Sequence, residues 1–343
     1  MIKPKKISRG DTIALLAPSG GLGGLFPHRV DSAKRALEKL GFKVKEFPTA
    51  RKFQDGKAGT PDERIKDLHD AFSDPSIKAI MCTIGGLCSN EIIGRLDYEL
   101  IKKNPKMFCG YSDISILHHA IARRTGLVTF YGPAAMTQFG EFPEPLPYTV
   151  EHFLKATTST KPVGTIKPSE KWTDETSLDW SKKLDLTRPR NLYENEGHIW
   201  LKEGKATAPI IGGCLSSIMQ LKGTPYDFDS TGKILFVETC EGQDFTKGEP
   251  LGYADAHIMD LRNAGVFDKI KGLVVGRPFG YSAEDRKKFV DIIAKHVASY
   301  NFPVLVNVNV GHADPIITIP LGVTVTLDSA QNRFSIDESG VSE

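Results

Sequence analysis

The chain has 343 residues, 40% hydrophobic and 25% charged, with a formal net charge of +2 at pH 7. That length points to two domains, with enough chain to bury a core without disulfide or metal staples. No basic stripe argues for nucleic acid, no apolar run approaches the about 20 residues of a membrane span, and the N-terminus lacks a long apolar signal region, which leaves a cytoplasmic enzyme as the expectation.

Residues 11–17 (DTIALLA) are an apolar run stopped by Pro18-Ser19-Gly20-Gly21, which predicts a buried strand and a loop. The glycines at 20–24 resemble a phosphate cradle but lack both the Gly-x-Gly-x-x-Gly order and a P-loop lysine. Helical spacing follows over 29–40, then a strand over 42–47. Thr60 and Glu63 form a capping-box pattern at the head of a helix reaching Phe72. A third strand over 78–83 runs into Ile84-Gly85-Gly86-Leu87-Cys88-Ser89-Asn90. Two glycines there fit a plain strand–helix turn or an oxyanion-binding loop equally well.

The next apolar run ends at Gly110 and is followed by Tyr111-Ser112-Asp113 and a stretch of helical spacing. A serine in such a turn sits at a strand end beside free N–H groups, as a nucleophile requires. Ile114 stands where the elbow Gly-x-Ser-x-Gly would have its second glycine. Taken alone, the stretch reads more simply as a serine N-cap. A strand over 127–131 completes an alternation of strands and helices that predicts a parallel sheet with helices on both faces.

Residues 138–205 carry prolines, charges and aromatics, Trp180 among them, without sustained periodicity. They predict a crossover with a long surface loop. Beyond it, strands are expected over 233–237, 272–276 and 304–310, helices over 253–263 and 284–300, and short strands over 316–320, 323–327 and 332–336. The expected divisions are an N-terminal α/β domain over 1–160, a crossover and substrate loop over 161–206, and a C-terminal domain over 207–343. The five cysteines show no Cys-x-x-Cys pair, and Cys82, Cys109 and Cys240, ending apolar runs, read as small buried hydrophobes. No His, Asp and Glu cluster has metal-ligand spacing.

Ser112, Glu238 and His312 each end a strand-like run beside a turn. A serine needs a base to attack at neutral pH, and the base needs a carboxylate to orient it. Glu238 is the first polar residue past its strand, and Glu241 is the rival carboxylate. His118 and His119 lie within the helix after Ser112, which makes His312 the preferred base.

Together Thr83-Ile84-Gly85-Gly86-Leu87-Cys88-Ser89-Asn90, Gly110-Tyr111-Ser112-Asp113, Thr129-Phe130-Tyr131-Gly132-Pro133-Ala134, Ile211-Gly212-Gly213, Leu235-Phe236-Val237-Glu238, Gly311-His312 and Pro320-Leu321-Gly322 resemble the serine peptidase family of LD-carboxypeptidases and microcin C immunity proteins. The resemblance implies a flavodoxin-like or Rossmann-like N-terminal domain, a C-terminal domain with its own sheet, and an active site between them. It implies a Ser112–Glu238–His312 triad and an oxyanion hole from the N–H groups of Gly86 and Asp113. It also implies Gly85 at the substrate, a cytoplasmic homodimer and no cofactor or metal. The glycine loop and Thr-Phe-Tyr-Gly-Pro-Ala lie closer to the microcin immunity branch, where a tryptophan at the place of Trp180 stacks on a nucleotide base. Cys88 departs from that branch's asparagine. The expected substrate is an aminoacyl or peptidyl nucleotide of the microcin C type. The alternatives are a muropeptide cut as by an LD-carboxypeptidase, or a non-catalytic small-ligand binding protein using Gly20–Gly24.

Overall fold

In the computed structural model, which describes residues 1–343, the chain builds two large sheets. The first half runs β1 (Thr12–Leu16), α1 (Leu22–Leu25), α2 (Pro27–Lys39), β2 (Lys43–Glu46), α3 (Pro61–Ser73), β3 (Ile77–Cys82), α4 (Asn90–Ile93), α5 (Tyr98–Lys103), β4 (Met107–Gly110), α6 (Ile114–Thr125) and β5 (Phe130–Tyr131). The capping box at α3 is present, with Thr60 accepting the Glu63 N–H and Glu63 accepting the Thr60 N–H. Strands β1, β3 and β4 are buried almost throughout, which is why they read as continuous apolar runs rather than as alternation.

These strands are parallel in the order β2-β1-β3-β4-β5. The order turns back at β1, so the loops after β1 and β3 leave from adjacent strands at the carboxyl edge, where doubly wound sheets hold their ligands.

The stretch expected to be irregular holds more structure than its composition announces. It contains α7 (Pro147–Thr158) and the short strands β6 (Gly164–Thr165), β7 (Lys171–Trp172), β8 (Tyr193–Glu194) and β9 (Ile199–Lys202). Helix α7 buries Thr149, His152, Phe153, Ala156 and Thr157, a helical spacing in which Thr149, His152 and Thr157 do not look apolar.

The second half comprises β10 (Lys205–Cys214), α8 (Leu215–Met219), β11 (Ile234–Glu238), α9 (Leu251–Asn263), β12 (Gly272–Gly276), α10 (Ala283–Val297), β13 (Val304–Val308), β14 (Ile319–Pro320), β15 (Thr324–Asp328) and β16 (Arg333–Ile336). The second sheet runs β6-β16-β15-β10-β11-β12-β13-β9, with β10 to β13 parallel and the flanks antiparallel. Strand β9, from the stretch that the sequence assigns to the crossover, is thus an edge of this sheet. Strand β14 instead pairs with β5 of the first sheet, so the chain beyond His312 returns to the N-terminal half.

One apolar core joins the sheets and includes Met107, Tyr131, Phe236 and Val310. Tyr131 and Phe236 meet edge to face with ring centres 5.0 Å apart. This contact holds the end of β5 against β11.

Candidate active site

The turn that carries Ser112 lies between β4 and α6. Ser112 has φ of 64°, a left-handed backbone that a non-glycine residue adopts at a cost of order 1–3 kcal/mol. The helix N-cap falls on Asp113, without a side-chain cap bond, so Ser112 does not cap α6 and the simpler reading of this stretch is set aside. Its N–H donates to the Tyr131 hydroxyl at 3.3 Å, and its carbonyl accepts from Ser115 Oγ at 2.7 Å. The loop after β3 lies directly over it. A Cβ on Gly85 would stand 2.7 Å from Ser112 Cβ, and one on Gly86, at φ of 149°, would stand 2.4 Å from Ser19 Oγ. Only glycine permits this approach. The N–H groups of Gly86 and Asp113 donate to no acceptor within the protein.

The second sheet brings the titratable groups. Glu238, fully buried at the end of β11, accepts from the Tyr131 hydroxyl at 2.5 Å through Oε1 and faces His312 Nδ1 at 2.7 Å through Oε2. Burial and the Glu238 charge push the Tyr131 phenol well above its ordinary pKa, so it remains a neutral donor. A hydrogen-bonded path therefore runs from the Ser112 N–H through Tyr131 and Glu238 to the imidazole.

The His312 ring packs edge-on against Tyr111, with centres 4.8 Å apart. Its Nε2 faces Glu241 Oε2 at 3.3 Å rather than the Ser112 hydroxyl. Burial opposes a charged ring, but Glu238 and Glu241 outweigh it and raise the His312 pKa to about 10. Glu249, also buried, is pushed up to about 7 by burial and the charge of Glu238, with His312 acting in the opposite direction.

Residues 13–132 match the LD-carboxypeptidase N-terminal domain, and residues 207–327 match the LD-carboxypeptidase C-terminal domain. The chain belongs to the LD-carboxypeptidase family. It is 34% identical over 337 residues to the Bacillus subtilis protein YocD, covering 97% of this chain and 98% of that one. It is 32% identical to the "Probable murein peptide carboxypeptidase" of Bacillus subtilis, covering 99% and 96%. It is 31% identical to the microcin C7 self-immunity protein MccF of Escherichia coli, covering 97% and 95%.

Among solved structures, MccF in complex with aspartyl sulfamoyl adenosine superposes with a TM-score of 0.91 at 30% identity over the full length of both chains. An MccF-like protein from Bacillus anthracis superposes at 0.88 with 35% identity, covering 98% of this chain and all of that one. The two-domain α/β architecture expected of the family is the one observed.

His118 and His119 are buried, with Nε2 atoms 2.9 Å and 3.0 Å from the carbonyls of Gly110 and Gly212. Burial lowers their pKa values to about 3 and about 4, so both are neutral ties of α6 rather than bases. The glycines at 20–24 form no open cradle. The Gly20 N–H donates to Gly85, that of Gly21 to Gly56, and side chains on Gly21, Gly23 or Gly24 would strike neighbouring backbone. These glycines serve close packing, which removes the phosphate site on which the binding-protein alternative relied. Cys82 and Cys109 are buried as expected, but Cys240 is only half-buried, because it stands past the end of β11 with its Sγ 3.4 Å from Ser216 Oγ. No group of three His, Cys, Asp or Glu side chains is arranged to hold a metal ion.

Trp180 is half-buried, edge-on to Phe26 at 5.7 Å, with the Arg29 guanidinium 4.5 Å above its ring. It therefore lies beside the chain that follows β1. The crossover is pinned close to His312: Arg190 bridges Glu141 at 2.6 Å and Asp314 at 2.7 Å, and Thr173 exchanges backbone hydrogen bonds with Asp314. Tyr131 and Asp314 are the site neighbours that sequence reasoning did not single out. Tyr131 stood within a quoted motif, but only the meeting of the two sheets gives its hydroxyl a partner.

Proposed function

We propose that this chain is a serine hydrolase that cleaves an amide bond in a small peptide-like substrate, with Ser112 as nucleophile, His312 as base and Glu238 orienting the base. The observation that carries the reading is the buried Glu238–His312 pair at 2.7 Å, joined through Tyr131 to a serine in strained backbone. In this reading Ser112 Oγ loses its proton to His312 Nε2 and bonds to the substrate carbonyl carbon. The oxyanion accepts the Gly86 and Asp113 N–H groups. Collapse breaks the C–N bond, and Nε2 returns the proton to the departing amine. Water then adds to the acyl-enzyme by the same route and frees Ser112.

His312 can accept a proton only when neutral, so Glu241 must withdraw from Nε2 as substrate enters. A ligand that displaces Glu241 removes the second carboxylate holding the ring charged and frees Nε2 to face the hydroxyl.

For the substrate we favour an aminoacyl or peptidyl nucleotide of the microcin C type. Its support is the full-length superposition on MccF, a protein whose solved structures include complexes with aspartyl sulfamoyl adenosine and glutamyl sulfamoyl guanosine. In this reading Trp180 stacks on the base once its ring is released from Arg29. The muropeptide reading has its own support in the 32% identity to a murein peptide carboxypeptidase. The deciding experiment presents the purified protein with an aminoacyl sulfamoyl adenosine and an LD-linked tetrapeptide side by side. Release of the amino acid from the first at a rate at least tenfold above the second supports the nucleotide reading. The reverse ratio replaces it with the muropeptide one, and turnover of neither by a folded protein overturns both.

A further inference from the structure

Asp113 directly follows Ser112 in the chain, and its side chain is fully buried. Its Oδ2 gathers three donors from two other loops: Ser19 Oγ at 2.5 Å, the Cys88 N–H at 3.0 Å and the Ser89 N–H at 2.8 Å. Ser19, also fully buried, accepts the Cys88 N–H at 3.3 Å and bears on Gly86, where even a methyl group would stand 2.4 Å from its Oγ. Arg64 closes the far side of the same loop, donating to the Cys88 carbonyl at 3.0 Å and reaching its Sγ at 3.2 Å. A buried carboxylate is costly unless it is hydrogen-bonded, and every donor to Asp113 converges on Oδ2 from the loops around Gly86, while Oδ1 has no partner.

We propose that the Asp113 carboxylate and the Ser19 hydroxyl are positioning groups that clamp the Gly86 loop against the nucleophile turn and so set the spacing of the two oxyanion N–H donors. This rests on the hydrolase reading above. Asp113 would then act twice: its N–H is one donor, and its carboxylate holds the loop that carries the other. A donor must lie within a few tenths of an ångström of the developing oxyanion to stabilise it, and loss of one typically costs ~10²–10³ in kcat. Loosening the clamp displaces the Gly86 donor without removing it, so the cost is a fraction of that. The clamp also gives Cys88 a place: its N–H is held by Asp113, its carbonyl by Arg64, and its Sγ lies against Arg64 and Ser19.

The test uses Ser19→Ala, Ser19→Thr and Asp113→Asn in the full chain. It measures kcat and KM per site titrated with a fluorophosphonate, together with amide hydrogen exchange over residues 84–90. We expect Ser19→Ala to lower kcat about tenfold and Asp113→Asn up to ~10²-fold, with KM within about threefold of the parent. Exchange over 84–90 should quicken in both, and Ser19→Thr, which keeps the hydroxyl, should restore kcat. If kcat per titrated site is unchanged while only the melting temperature falls, the groups are merely structural and the proposal is wrong. Unchanged exchange over 84–90 in Ser19→Ala overturns it equally, even if Asp113→Asn does not fold. Should the parent turn over no substrate, the hydrolase reading fails, and the exchange measurement still decides whether the clamp exists.

Discussion

The two sheets contribute to the site in different chemical currencies. The first provides backbone: a serine held at positive φ, two unengaged N–H groups, and glycines that let one loop lie on another. The second provides titratable side chains, Glu238, Glu241, Glu249 and His312, gathered past the ends of β11 and β13. Backbone geometry is set by local chain conformation and changes little with pH, whereas the charges depend on one another and on burial. In the proposed hydrolase neither half would act alone, and Tyr131 is where they meet, accepting from the Ser112 N–H and donating to Glu238. A division of this kind makes the site sensitive to the docking of the sheets and ties its pH dependence to the second half.

The largest break in this comparison is Ser112→Ala. It removes the proposed nucleophilic oxygen of the first sheet and leaves the core alone, so kcat should fall by on the order of 10⁴ or more with the melting temperature held or raised. Near-parental turnover in the folded variant would refute the triad. Glu238→Gln comes next, because an amide can hold His312 in the wrong tautomer and cannot stabilise its charged form. A loss of roughly 10³–10⁴ in kcat is expected, far above that of Glu241→Gln. A larger loss in Glu241→Gln would reassign the orienting carboxylate.

Tyr131→Phe cuts the link between the halves while keeping the ring that packs on Phe236. It strips one hydrogen bond from a buried carboxylate, an interaction worth ~1.5–3 kcal/mol, so a roughly ten- to hundredfold fall in kcat should accompany a lower melting temperature. Unchanged kinetics would show that the sheets dock without this bond. The smallest effect is expected from Glu241→Gln, read as a pH profile. With His312 raised to about 10, kcat/KM of the parent should climb with pH toward that value, because the free enzyme's base must lose its proton. A neighbouring carboxylate favours the charged ring, so removing the Glu241 charge lowers the pKa and moves this limb to lower pH by on the order of one unit. An unmoved limb would mean that the 3.3 Å contact does not persist in solution.

The parallel strands were legible because burial on both faces leaves an uninterrupted apolar signature, and the α3 start was legible because its capping box is local. Helix α7 was not, since Thr149 and His152 occupy its buried face. The edge strands β9 and β14 were not placed either: an edge strand takes its meaning from a partner far along the chain, β13 for the one and β5 for the other. At the site, the sequence by itself determined the residue types at strand ends, a serine after Gly110, a glutamate after Val237 and a histidine after Gly311. Strand ends are local events that turn residues announce. Only the tertiary structure decided that Ser112 is strained and does not cap its helix, that Glu241 meets Nε2, and that Tyr131 and Asp113 bind groups on distant loops. These depend on a few ångströms of separation between segments that are far apart in the chain, and such distances are set by how the cores of the two sheets pack rather than by any pattern along one strand or helix.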